Sequence, residues 1–134
     1  MSFKRIVFLL TAAWFSATFA GAVHAEADVL VRESLALVEQ GKAQQAFDQL
    51  ATAEAERAGD PDFDTVLGIA ANETGQFTRA VFALERVLTV QPGNSRARAE
   101  LGRALFALGD NQAARQVLQE TKRDAIPAEV ARKI

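Results

Sequence analysis

Polar and apolar positions divide the chain into two unlike parts. After Lys4 and Arg5, the stretch from Ile6 to Val23 carries no charge at all, whereas the rest of the chain alternates short amphipathic runs with glycine. Val81, Leu84, Val87 and Leu88 recur on one face of a 3.6-residue period, which predicts a helix over about 78–90. Ahead of it, Asp60-Pro61-Asp62 reads as a helix start: an N-cap, proline at the first helical position and an acid at the positive end of the dipole. Gly75 ends that helix, because it accepts a left-handed backbone, and Pro92-Gly93-Asn94 stops the next.

This pattern recurs. Gly41, Gly75 and Gly109 stand 34 residues apart, followed by Ala46, Ala80 and Ala114 and then by Leu50, Leu84 and Leu118 at constant offsets. Leu67-Gly68 returns as Leu101-Gly102. The spacing defines repeats 27–60, 61–94 and 95–128, each expected to be two antiparallel helices. A single pair cannot bury its apolar face, so neighbours must stack. Gly68 and Ala80 are expected on facing helices, where their missing side chains let the backbones approach. A leucine at Gly68 or Gly102 should overpack that contact at a cost of about 1–3 kcal/mol. In the tail, Pro127 followed by Val130 and Ile134 predicts a capping or further helix over 127–134.

The repeat resembles the tetratricopeptide family, with Leu-Gly at positions 7 and 8, glycine at 15, alanine at 20 and proline at 32. The second copy carries Leu67, Gly68, Gly75, Phe77, Ala80, Leu84 and Pro92. The third keeps Leu101, Gly102, Gly109, Ala114 and Leu118, but has Asn111 in place of an aromatic and Pro127 one place late. The first has Glu33-Ser34 for Leu-Gly and retains Gly41, Ala46, Leu50 and Ala53. The resemblance implies an all-α fold, a right-handed superhelical array of three helix-turn-helix hairpins that binds a protein or peptide partner in its concave groove.

By the same resemblance the groove is lined by Asp62, Thr65, Ile69, Asn72 and Glu73 in the second copy and by Arg96, Ala99, Arg103, Phe106 and Ala107 in the third. Asp28, Val31, Leu35, Val38 and Glu39 stand at those positions in the first. Thr65, Ile69, Asn72, Glu73, Arg96, Arg103 and Phe106 are the candidate binding residues. Arg96 and Arg103 fall on one helix face and could both meet an acidic group. The carboxylate clamp of chaperone-binding members is not reproduced. The stretch from Ala80 to Arg103 is similar to the periplasmic heads of surface lipoprotein assembly modifiers, outer-membrane proteins in which such a head precedes a β-barrel. That likeness implies a client-binding head. The chain itself has no alternating barrel strands, and the alternative is a free-standing periplasmic adaptor in envelope or polysaccharide assembly.

Composition and charge then restrict the chemistry. Residues 1–25 read as a signal peptide ending Val23-His24-Ala25, with cleavage before Glu26 and export to the periplasm. The alternative is an uncleaved inner-membrane anchor, but the 18 uncharged residues are near the minimum span and are diluted by Thr11, Ser16, Thr18 and Gly21. The mature chain would hold 13 bases and 17 acids, and no His, Cys, Tyr, Trp or Met. Without histidine it loses the commonest general acid or base near neutral pH, so an enzyme is not expected. The absence of cysteine excludes disulfides, thiolate chemistry, cysteine metal sites and a lipidated cysteine.

Balanced charge argues against a nucleic-acid partner. Asp60, Asp62 and Asp64 lack the glycine and distal glutamate of a calcium loop and read as an acid-rich helix start. Neither cofactor nor metal is expected, and no small-molecule substrate. From Glu26 to Asp64 there are ten acids and three bases, and from Thr65 onward seven acids and ten bases. Arg79, Arg86, Arg96, Arg98 and Arg103 read as solvated helix faces.

Overall fold

The computed structural model describes residues 29–121 and Arg132. The expected leader and, apart from Arg132, the expected helix over 127–134 lie outside the described residues. Six helices and no strands occur among those described: α1 over 29–39, α2 over Ala43–Arg57, α3 over Pro61–Glu73, α4 over Phe77–Val90, α5 over Ser95–Ala107 and α6 over Asn111–Gln119. Successive helices from α2 onward pack on one another, and α3 also packs on α5.

The 34-residue glycines make the turns. Gly41, Gly75 and Gly109 have φ of 77°, 76° and 85°. At each, two hydrogen bonds close the preceding helix. Gly75 donates to the Asn72 carbonyl at 3.3 Å and Gln76 to that of Ala71 at 2.8 Å; Gly109 and Asp110 do the same to Phe106 and Leu105 at 3.0 and 2.9 Å. This is a Schellman closure, which needs a left-handed residue at its fifth place. Helix starts repeat at the same interval. The Asp60 carboxylate accepts from the Asp62 and Phe63 amides, with Pro61 at N1, and the Asn94 side chain accepts from the Ala97 amide. With Asp62 in the first turn, all three expected features of the α3 start are therefore present.

Phe63, Leu50, Leu67, Leu84 and Val87 are fully buried, with alanines of α2 to α5 between them. Half-buried Leu30, Val31, Leu35, Leu37 and Val38 of α1 complete one side of this core. The expected approach at Gly68 is real, but its partner is Leu84 rather than Ala80. A Cβ at Gly68 would come within 2.5 Å of Leu84 Cγ, and one at Gly102 within 2.6 Å of Leu118 Cγ. Ser34 holds the matching place in α1; it is buried, and its hydroxyl has no hydrogen-bond partner.

The acids and arginines behave differently from the sequence reading. Asp64 is fully buried, and its two oxygens take Arg86 side-on at 2.6 and 3.0 Å while Oδ2 also accepts from the Gly59 amide at 2.7 Å. Glu54 of α2 receives Arg79 at 2.6 Å and Arg86 at 3.1 Å. Arg79 and Arg57 lie over the Phe47 and Phe63 rings. Charge thus ties α2, α3 and α4 together instead of covering solvated faces. The reason is steric: Asp64 sits one turn past the cap, on the side of α3 that α4 covers.

Candidate functional site

The candidate binding residues lie on α3 and α5, the two helices that pack directly on each other. Asn72 links them. Its amide donates to the Glu100 carbonyl at 3.0 Å and to Glu100 Oε2 at 2.9 Å. Arg103 reaches back to Glu73 Oε1 at 2.8 Å and lies 3.5 Å from Glu100 Oε2. The structure therefore joins Asn72, Glu73 and Arg103 into one polar cluster around a carboxylate that the sequence reading did not single out.

Burial pushes the Glu100 carboxyl above its usual value; the Asn72 amide and the Arg103 and Arg96 guanidinium groups oppose that shift, and Glu73 adds to it. A carboxylate this deep inside is tolerated only because hydrogen bonds and a cation face it. A helical residue three before Arg103, facing α3, is the signal in the sequence that could have found it.

The remaining candidates differ in access. Ile69 and Asn72 are 3 % and 2 % exposed, so they hold α3 against its neighbours rather than face a ligand. Thr65 is half-buried, with its hydroxyl donating to the Pro61 carbonyl at 2.6 Å. Arg96 is half-buried, Glu73 is exposed, and Phe106 is 55 % exposed, one turn beyond Arg103. Arg103 is less free than expected, since any acidic partner group meets a guanidinium already engaged by Glu73. The surface available for contact is a carboxylate–guanidinium pair with an aromatic ring beside it.

Residues 71–131 match the tetratricopeptide repeat family model. Over that span, a little under half of the chain, the sequence is similar to tetratricopeptide repeats. The matched span contains all of α4, α5 and α6, with their turns at Gly75 and Gly109. No curated protein and no solved structure matches the chain significantly. Tetratricopeptide repeats are non-catalytic scaffolds that generally mediate protein–protein interaction. Among the described residues, no helix is long and apolar enough to cross a membrane.

Proposed function

We propose that the tetratricopeptide repeats form three hairpins in a right-handed superhelix and act as an exported, periplasmic scaffold that binds a protein partner in the concave groove. The observation that carries this reading is the Glu73–Arg103 pair, which links α3 to α5 at the edge of the surface, with exposed Phe106 one turn beyond Arg103. Arg103 faces buried Glu100 on one side and the more accessible Glu73 on the other, so a partner carrying an acidic side chain can compete with Glu73 for it. The leader supplies the compartment: Lys4 and Arg5, the uncharged run and the small residues before Glu26 are what a signal peptidase reads.

The test is photo-crosslinking in living cells from Thr65, from Arg96 and, as a control, from exposed Phe82 on α4. The groove positions should trap the same protein and the control should not, and Arg103→Glu should weaken the trapped partner's affinity by about tenfold, or 1.4 kcal/mol. Equal affinity of the variant in a titration removes the groove. Mass spectrometry of the periplasmic fraction should find a chain beginning at Glu26; a cytoplasmic chain retaining Met1 contradicts export.

The likeness of Ala80–Arg103 to outer-membrane assembly heads favours a second reading, a client-binding head placed before a barrel. Ten-residue alternating segments encoded beyond Ile134 would support it, and a stop codon there would favour the free adaptor.

A further inference from the structure

Asn72 meets Glu100 with only one end of its side-chain amide. Nδ2 donates both hydrogens, to the Glu100 carbonyl at 3.0 Å and to Glu100 Oε2 at 2.9 Å. Oδ1 of the same amide is buried and has no hydrogen-bond partner among the described residues. Turning the amide over would aim Oδ1 at two acceptors, so its orientation is fixed. Asn72 and Glu100 are each 2 % exposed, and an unmet acceptor at that depth is destabilising. The repeat shows what this place accepts. At the same two positions 34 residues earlier stand Val66, of the apolar core, and Val38, packed against it. A neutral polar pair suits such a place, and a bare carboxylate does not.

We propose that Glu100 and Asn72 form a neutral acid–amide pair, the Glu100 hydroxyl donating from Oε1 to Asn72 Oδ1, and that loss of this proton draws Arg103 from Glu73 to Glu100. A carboxylic acid and a primary amide each offer a donor and an acceptor side by side, so the Nδ2–Oε2 bond already present aligns the second. Burial, which favours the uncharged acid, works in the same direction. Among charged neighbours, Glu73 of α3 favours the proton, and Arg103 and Arg96 of α5 oppose it. Of the flanking helices, α4 turns Arg79 and Arg86 to Glu54 and Asp64 and exposes Glu85, while Arg115 of α6 is exposed. One atom carries the switch: Arg103 Nη1 lies 2.8 Å from Glu73 Oε1 and 3.5 Å from Glu100 Oε2. When Oε1 gives its proton to water, the carboxylate gains a full charge, competes for Nη1 and leaves Asn72 Oδ1 unmet. At the partner site, a consequence that rests on the proposed groove, Arg103 then holds an acidic partner less well as pH rises.

The test is an NMR pH titration of the full chain, read at isotope-labelled carboxyl, amide and guanidinium groups. The Glu100 carboxyl carbon should titrate with a midpoint above its own in the urea-unfolded chain. The Asn72 amide and Arg103 guanidinium signals should shift at that same folded midpoint. Glu100→Gln supplies an amide that makes the same paired contact to Asn72 with no proton to lose, so neither signal should shift there. A Glu100 midpoint at or below the unfolded value overturns the proposal. So does an Asn72 or Arg103 signal that does not follow Glu100, or one that shifts in the same way in Glu100→Gln. No partner is present in this titration, so its failure is distinct from failure of the groove, which the crosslinking and affinity measurements report.

Discussion

Between α3 and α4, Asp64 meets Arg86 with no solvent on its carboxylate; 34 residues later, between α5 and α6, Arg98 meets Glu120 at 3.5 Å with the charges exchanged and the carboxylate 70 % exposed. Gly68 faces a fully buried Leu84, whereas Gly102 faces a half-buried Leu118. The two helix pairs share turns, caps and spacing but not burial. The difference teaches that the repeat sequence specifies local geometry, while the neighbours on each side decide what each contact contributes. The pair α3–α4 is covered by α2 and by α5; the pair α5–α6 has a described neighbour on one side only.

The strongest way to sharpen this contrast is to cut both ion pairs. Asp64→Ala removes the buried carboxylate that holds the Gly59 amide and one side of the Arg86 guanidinium, so it should cost about 2 kcal/mol in urea unfolding. Glu120→Ala removes an exposed partner and should cost less than about 0.5 kcal/mol. Equal costs would break the contrast.

Overpacking comes next. Gly68→Leu should cost about 3 kcal/mol, because Leu84 has no free space to move into. Gly102→Leu should cost about 1 kcal/mol, because Leu118 can turn toward solvent. A reversed order in thermal unfolding would count against the open outer face.

The smallest effect concerns the link between the two pairs. With the Glu100 carboxyl raised above its usual 4.5, the fold favours its protonated form, and the wild type loses stability as pH rises through that raised value. Glu100→Gln should therefore be more stable than wild type at pH 7 by up to about 1 kcal/mol, and the gap should close below about pH 4.5. Glu54 and Asp60 act oppositely: burial raises them, but their arginine partners, and for Asp60 also the Asp62 and Phe63 amides, lower them further. Their contribution is present above the unfolded values and lost as pH falls through the folded ones, in wild type and variant alike. A variant less stable than wild type at pH 7 would show that the Arg103 contact outweighs burial.

Much of the helical order could be read from spacing alone. Gly75 and Gly109 mark turns because a positive φ leaves little choice of residue, and Gly68 and Gly102 mark close approach because a Cβ there has no room. Asp60 was recognisable as a cap for the same local reason. What escaped the sequence depends on packing between distant residues. Asp64 and Arg86 are 22 residues apart, and only the pairing of α3 with α4 makes them neighbours. The recurrence of opposite charges at that separation in Arg98 and Glu120 was the available signal. The candidate groove was legible as a set of positions. That Ile69 and Asn72 are buried and Arg103 already engaged follows from α5 lying across α3, which no single helix pattern contains.

Native-state hydrogen exchange tests the central claim most directly, namely that one repeat pattern gives a closed second helix pair and an open third. Amides of α3 and α4 should be the most protected, exchanging only through global unfolding, while those of α6 exchange through local opening at least about tenfold faster. Equal protection across α3 to α6 would contradict the account.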